Sequence, residues 1–240
     1  NEGLLDADAA YGVWPANALG DDVAVYEDAT ASEPLMTFHF LRQQEKKEDE
    51  GDGQGACECL ADYIAPRSVN VRDHLGVFAV KIGGAADLED GYRKEGDDYH
   101  AIMARAIADR LAGAFAAYLH REMFRIWELD EHPVITPEQI REGICRGIRP
   151  APGYPACPDH TEKTSIFRLL DAEKNVGLAL TETCSMVPVS AVCGFFFFHP
   201  RARYLDVGKL GKDQITDYAG RKGWDVGEAE RWLARHLGYK

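Results

Sequence analysis

The chain has 240 residues and 26.6 kDa, enough to bury a sizeable core in one large domain or two small ones. Forty acidic residues against 27 basic ones leave a formal charge of −13, a field that repels phosphate backbones and anionic membrane surfaces. Nucleic acid and lipid are therefore poor partners, and the longest nearly apolar stretch, Val187 to Phe198, is too short to span a bilayer.

No basic region followed by an apolar one opens the sequence, so a cytoplasmic location is expected. The six cysteines include no CxxC pair, and Cys57-Glu58-Cys59 lacks a partner segment at zinc-finger spacing. Free thiols are expected, with a metal site as the minority reading.

The first forty residues read as β structure, with Val23 to Tyr26 and Leu35 to Leu41 as strands after turn residues. Gln43 to Gly55 is almost wholly polar, charged or Gly, and is expected to be an exposed, mobile acidic loop. Leu60 to Ala65 is a short element of undecided type. His74 to Ile82 is a strand closed by Gly83-Gly84.

From Asp97 onward Tyr99, Ile102, Met103, Ala106, Ile107, Leu111, Ala114, Phe115, Tyr118 and Leu119 recur at three- and four-residue steps. This pattern predicts a helix capped by Asp97 or Asp98 and running to about Trp127, long enough to cross the whole domain. Thr136-Pro137-Glu138-Gln139 starts another helix, expected to stop at Arg146-Gly147. Thr161 to Lys174 is a third, with Ile166, Leu169 and Leu170 on its buried side.

Ala191 to His199 and Arg203 to Val207 are expected to pair as a hairpin around His199-Pro200-Arg201. Two short helices, Asp213 to Lys222 and Asp225 to His236, close the chain, with Gly223 ending the first and Asp225 capping the second. Strands come as an early group and a late pair, without βαβ alternation. That order predicts an α+β fold with antiparallel pairing in a single domain. Of Phe195 to Phe198, one alternate pair should face the core and the other a second layer or a partner domain.

The densest unusual segment is Gly147 to Lys163, GIRPAPGYPACPDHTEK. Four prolines fix φ and remove backbone donors, so the segment must be a rigid, extended loop with outward-facing carbonyls. Gly153 permits a close approach or a positive φ. Arg149 offers a planar fork for a carboxylate, and Tyr154 an aromatic face for a cation. Together they suit a zwitterionic or sulfonium ligand. The alternative is a proline-braced structural loop with Arg149 in an ion pair.

This loop, from Gly147-Ile148-Arg149-Pro150 through Pro158-Asp159-His160-Thr161-Glu162-Lys163, resembles the signature of the activation domain of cobalamin-dependent methionine synthase. Leu41-Arg42-Gln43-Gln44, Ala108-Asp109-Arg110-Leu111, Tyr118-Leu119-His120, Leu180-Thr181-Glu182, His199-Pro200 and Gly238-Tyr239 resemble stretches of that family in the same order.

The resemblance implies a single curved α+β domain with a twisted antiparallel sheet and a long central helix. It also implies S-adenosylmethionine binding, in support of the reductive methylation of cob(II)alamin to methylcobalamin. Cobalamin would be held by a partner domain or subunit, and the electron would come from a flavodoxin-type donor. Such a chain is not expected to transfer methyl groups alone, whether it is a fragment of a larger synthase or a separate subunit.

Carried over by position, Arg149 matches the carboxylate grip, and Ala151 with its neighbours Pro150 and Gly153 the backbone lining the adenine. Tyr154 and Tyr204 match ligand-contacting tyrosines, and Leu205 a further contact. Asp109 and His160 match partner-facing positions; helix charge and helix-entry residue are their plainer readings. His199 reads as a turn residue, and His120 and His132 carry no signal.

Two departures bear on affinity. Gly113 stands where the family has an acidic side chain, and the first residue falls after the family's N-terminal arm, which contributes an acidic contact. Weaker S-adenosylmethionine binding is therefore expected. The competing reading is a docking or structural module of the same fold without productive binding; an independent methyltransferase is a weaker third.

Overall fold

The computed structural model describes residues 4–44, 57–126 and 147–239. A 14-residue strand β1 (Asp6–Leu19) turns at Gly20 into β2 (Asp22–Val25), and β3 (Met36–His39) follows. β1 also pairs along its length with β4 (Asp73–Gly83), from Asp6↔Gly83 to Ala16↔Asp73. β7 (Ala191–Phe196) completes a curled antiparallel sheet of order β3-β2-β1-β4-β7. A separate two-stranded ribbon joins β5 (Ala179–Leu180) to β6 (Met186–Val187). Gly12 and Pro15 interrupt the β pattern of β1, which only pairing with both β2 and β4 holds in register.

Both faces of the sheet are covered, and strand alternation divides the core accordingly. On one face Leu75, Val77, Ala79, Phe195 and Phe197 pack with helix α3 (Glu162–Leu170), α4 (Ala172–Val176), α5 (Lys212–Lys222) and α6 (Val226–Trp232). On the other, Phe78, Val80 and Phe196 meet Ala116, Leu119 and Met123 of α2 (Asp98–Ile126), which follows α1 (Ala85–Lys94). Phe196 and Phe198 thus face this second layer of the fold itself. Full burial of each such ring contributes about 1.5–3 kcal/mol.

The orientation of α2 departs from what its larger apolar residues suggest. Its inner stripe is mostly alanine, at Ala101, Ala108, Ala112 and Ala116, whereas Tyr99, Ile102, Met103, Ile107, Leu111 and Tyr118 are exposed. Small side chains let the helix axis lie close to the sheet, whose own Phe78, Phe196 and Ile82 fill the space.

Other expectations are corrected by local geometry. Arg203–Val207 is not a strand; it runs past the Pro-rich loop, with Val207 N–H donating to the Pro155 carbonyl at 3.0 Å. Gln43 is buried, not part of a mobile loop: its amide donates to the Asp206 carbonyl at 2.9 Å and accepts from Glu58 N–H at 3.1 Å. Residues 45–56 lie outside the described residues, as do 136–146 of the helix expected to stop at Arg146-Gly147.

Leu60–Tyr63 is a 3-10 turn. The expected third helix breaks at Asp171, whose φ of 45° is left-handed. Asp225 caps α6 by accepting from Glu228 N–H at 2.8 Å, but that helix stops at Trp232. No described helix is long and apolar enough to cross a membrane.

Candidate ligand site

The Pro-rich loop is held as an extra extended segment along β7. Ile148 and Phe197 exchange two backbone hydrogen bonds of 3.0 Å, and Phe195 N–H donates to the Pro150 carbonyl at 3.0 Å. Gly194 makes this approach possible, because a Cβ there would overlap the Pro150 carbonyl. The loop then reverses: Tyr154 N–H donates to Ala151 O, Cys157 N–H to Tyr154 O, and Gly153 N–H to Cys157 O at 2.7 Å.

Between this loop, α2 and the sheet lies a cavity of about 410 Å³. The loop contributes Arg149, Pro150, Ala151, Tyr154, Pro155 and Ala156 to its wall; the passing segment contributes Tyr204 and Leu205. The sheet supplies Phe78 and Val192, and α2 supplies Gly113 and Ala116. Six of the seven ligand-contact positions expected from the sequence therefore converge on one space. Tyr204 is fixed there because its hydroxyl accepts from Arg149 N–H at 3.1 Å. Both tyrosines are exposed at the cavity, Tyr154 by 63% and Tyr204 by 58%.

Arg149 is half-buried, and among the described residues its guanidinium has no ion-pair or hydrogen-bond partner. Among the described residues, then, no ion pair braces Arg149. A planar cation in a half-apolar cleft is suited to a carboxylate arriving from solution.

The seventh position, Gly153, does not line the cavity. Its φ of 96° and the His160 ring packed against it explain the glycine, since a Cβ would overlap that ring. His160 is exposed on the far side of the loop, 2.8 Å from Lys163 Nζ. Burial, then the charge of Lys163, pushes its imidazole below the ordinary histidine value. Asp109 lies on the exposed side of α2 and is tethered, its carboxylate accepting from Ser190 Oγ at 2.7 Å.

The foot of the loop is anchored by a buried charge cluster. Lys222 Nζ donates to Asp159 at 2.8 Å, Glu162 at 2.7 Å and Thr161 Oγ1 at 2.7 Å, and Tyr218 Oη donates to Asp159 at 2.6 Å. Burial alone would raise the Asp159 carboxyl, but Lys222 and these hydrogen bonds hold it below the usual value. Glu162 is raised by burial, which Lys222 only partly offsets. Cys157, in the loop, is a buried unpaired thiol, pushed well above its ordinary value by burial.

Sequence reasoning missed Phe78, Ala116, Val192, Pro155 and Ala156 as wall residues. The first three are ordinary strand and helix apolar residues, and nothing in their spacing marks the wall. Gly113 was singled out, and a Cβ there meets nothing within 4 Å. Gly113→Glu should therefore fold without strain. If the added carboxylate reaches a cationic ligand, S-adenosylmethionine affinity should rise by about three- to tenfold. Calorimetric titration of both proteins checks this, and unchanged or lower affinity would remove Gly113 as a reason to expect weaker binding.

The sequence profile described as "Vitamin B12 dependent methionine synthase, activation domain" matches residues 1–223. Among solved structures, the crystal structure of the MetH reactivation domain bound to AdoHcy is similar at 44% sequence identity and a TM-score of 0.93, covering 100% of this chain and 73% of that one. The same Pro-rich loop, long helix and antiparallel sheet that build the cavity lie within the matched region. The chain belongs to the family of activation domains of vitamin B12-dependent methionine synthase.

Proposed function

We propose that this chain binds S-adenosylmethionine in the cavity beside the Pro-rich loop and supports the reductive methylation of cobalamin held by a partner domain. The half-buried guanidinium of Arg149, without an ion-pair or hydrogen-bond partner among the described residues, beside a tyrosine-flanked wall carries the reading. The cavity suits the group: Arg149 would grip the α-carboxylate, backbone groups of Pro150 and Ala151 the purine edge, and Tyr154 or Tyr204 the sulfonium. The related MetH structure holds AdoHcy, the thioether that remains once S-adenosylmethionine has lost its methyl.

With cobalamin held by the partner, one electron from a flavodoxin-type donor and the methyl of S-adenosylmethionine would together restore methylcobalamin from cob(II)alamin and leave the thioether. The chain's contribution is to orient the sulfonium and exclude water. The outer stripe of α2, with Ile102 at 68% exposure beside Met103, Ile107 and Leu111, is a face for the cobalamin-bearing partner. Asp109 belongs to the same exposed side. The open space at Gly113 favours the second reading, a docking module without productive ligand binding.

With a cobalamin-loaded partner, S-adenosylmethionine and a low-potential reductant, methylcobalamin should accumulate, read from its absorbance. The chain alone should transfer no methyl group to small acceptors. Ile107→Asp should slow accumulation at least about tenfold, as a charge buried at an interface does, with S-adenosylmethionine affinity unchanged. Turnover without cobalamin would overturn the proposal in favour of an independent methyltransferase.

A further inference from the structure

The Pro-rich loop reverses at Gly153, and the place that a Cβ would take there is filled by the His160 ring. Gly153 N–H donates to the Cys157 carbonyl at 2.7 Å, and Tyr154 N–H to the Ala151 carbonyl at 3.2 Å. Ala151 and Tyr154, on either side of this turn, are wall residues of the cavity. Whatever displaces the His160 ring therefore loosens the turn that presents them.

The ring is held in turn by Lys163 of α3. That side chain is buried, donates to the Cys184 carbonyl at 3.0 Å and lies 2.8 Å from His160 Nδ1. An ammonium has only hydrogens to offer, so Nδ1 accepts and the ring proton sits on Nε2. A second ring proton would go to Nδ1 and set N–H against N–H and cation against buried cation. Arg235 and His236, from the chain after α6, also disfavour the imidazolium. Asp159 favours it, but that carboxylate already accepts from Lys222, Tyr218 and Thr161. Protonation must therefore turn the ring away from Lys163, and its place beside Gly153 is lost.

We propose that neutral His160 is a positioning residue: locked by Lys163, its ring braces the Gly153 turn and so sets Ala151 and Tyr154 against the nucleoside. This rests on the functional reading above, and deepens it by making ligand binding depend on one proton at a residue outside the cavity. Burial and then Lys163 hold the folded imidazole below the ordinary histidine value. The braced turn is therefore complete above that ordinary value and is lost as pH falls through the lower, folded one. By linkage, a bound nucleoside keeps the ring neutral to still lower pH.

The test reads that proton in the full chain. S-adenosylhomocysteine affinity, from calorimetric titration, should fall about three- to tenfold between about pH 7.5 and 5.5. His160→Asn keeps an acceptor for Lys163 but takes up no proton, so its affinity should be flat over the same range. In the wild-type chain the His160 ring-nitrogen resonances should report the hydrogen on Nε2 near neutral pH. Their titration midpoint should move down by about 0.5–1 pH unit when S-adenosylhomocysteine saturates the cavity, the same linkage seen from the histidine and independent of whether the variant folds. A merely structural ring would leave the midpoint where it was. A flat wild-type profile, an unmoved midpoint, or a His160→Asn profile as steep as that of wild type would overturn the inference alone. A wild-type chain that bound neither S-adenosylmethionine nor S-adenosylhomocysteine would overturn the functional reading with it.

Discussion

Replacing Lys222 by methionine should lower stability by about 3–5 kcal/mol, because it strands two buried carboxylates without their counter-ion. Asp159 and Glu162 have side chains 2% and 1% exposed, and the ammonium between them is 9% exposed. Such a loss corresponds to a melting temperature lower by on the order of 10 °C. Burial by itself would lower the Lys222 ammonium, but Glu162 and Asp159 raise it. Its contribution is therefore fully present below the unfolded lysine value and is lost only as pH rises through the folded one.

Asp159 is depressed, so its contribution is present above the ordinary carboxyl range and is lost as pH falls through the folded value. In the variant both carboxyls would protonate more readily, and a protonated pair needs no cation. The deficit should therefore be largest near pH 7 and should shrink toward pH 4–5, as about that range is where raised carboxyls take up protons. Denaturant unfolding of both proteins at the two pH values checks this. A loss below about 1 kcal/mol, in the range of an exposed pair, or an equal loss at both pH values, would mean that the cluster does not hold the loop.

Arg149→Lys should act on binding in place of stability. It keeps the charge but loses the fork, and S-adenosylmethionine should bind about 2 kcal/mol more weakly, roughly thirtyfold. The melting temperature should hardly change, because the guanidinium makes no ion pair among the described residues. Tyr154→Leu, at an exposed rim position, should weaken binding by about 0.5–1 kcal/mol if its ring meets the sulfonium. Calorimetric titration with melting curves on the same two variants decides the matter. A steep drop in melting temperature with affinity preserved at low temperature would make the loop architecture and place the site elsewhere.

Elements whose signals are local were legible in the chain. The apolar run from His74 to Ile82, the Asp225 cap, the Gly223 stop and the periodicity from Asp97 each depend on residues within one or two turns of one another, and each element formed with shifted ends. The Pro-rich loop was equally legible, since proline restricts the backbone whatever surrounds it. Its side chains Arg149 and Tyr154 carried their chemistry openly.

The tertiary structure decided matters for which local sequence holds no term. Periodicity shows that α2 has two faces, but alanine became the inner one because Phe78 and Phe196 already fill the sheet surface beneath it. Arg203–Val207 has strand composition, yet the loop bonded along β7 beside Ile148 and Pro150 occupies the edge it would have paired with. Gly153 looked like a ligand approach and proved to be room for His160, a contact set by the reversal of the loop. His120 carried no signal, because a buried ring without a hydrogen-bond partner among the described residues is a property of surroundings drawn from α2 and β7 together. A sequence determines which groups are present and how the backbone beside them bends; which of them are left facing one another without a partner is fixed only when distant segments pack.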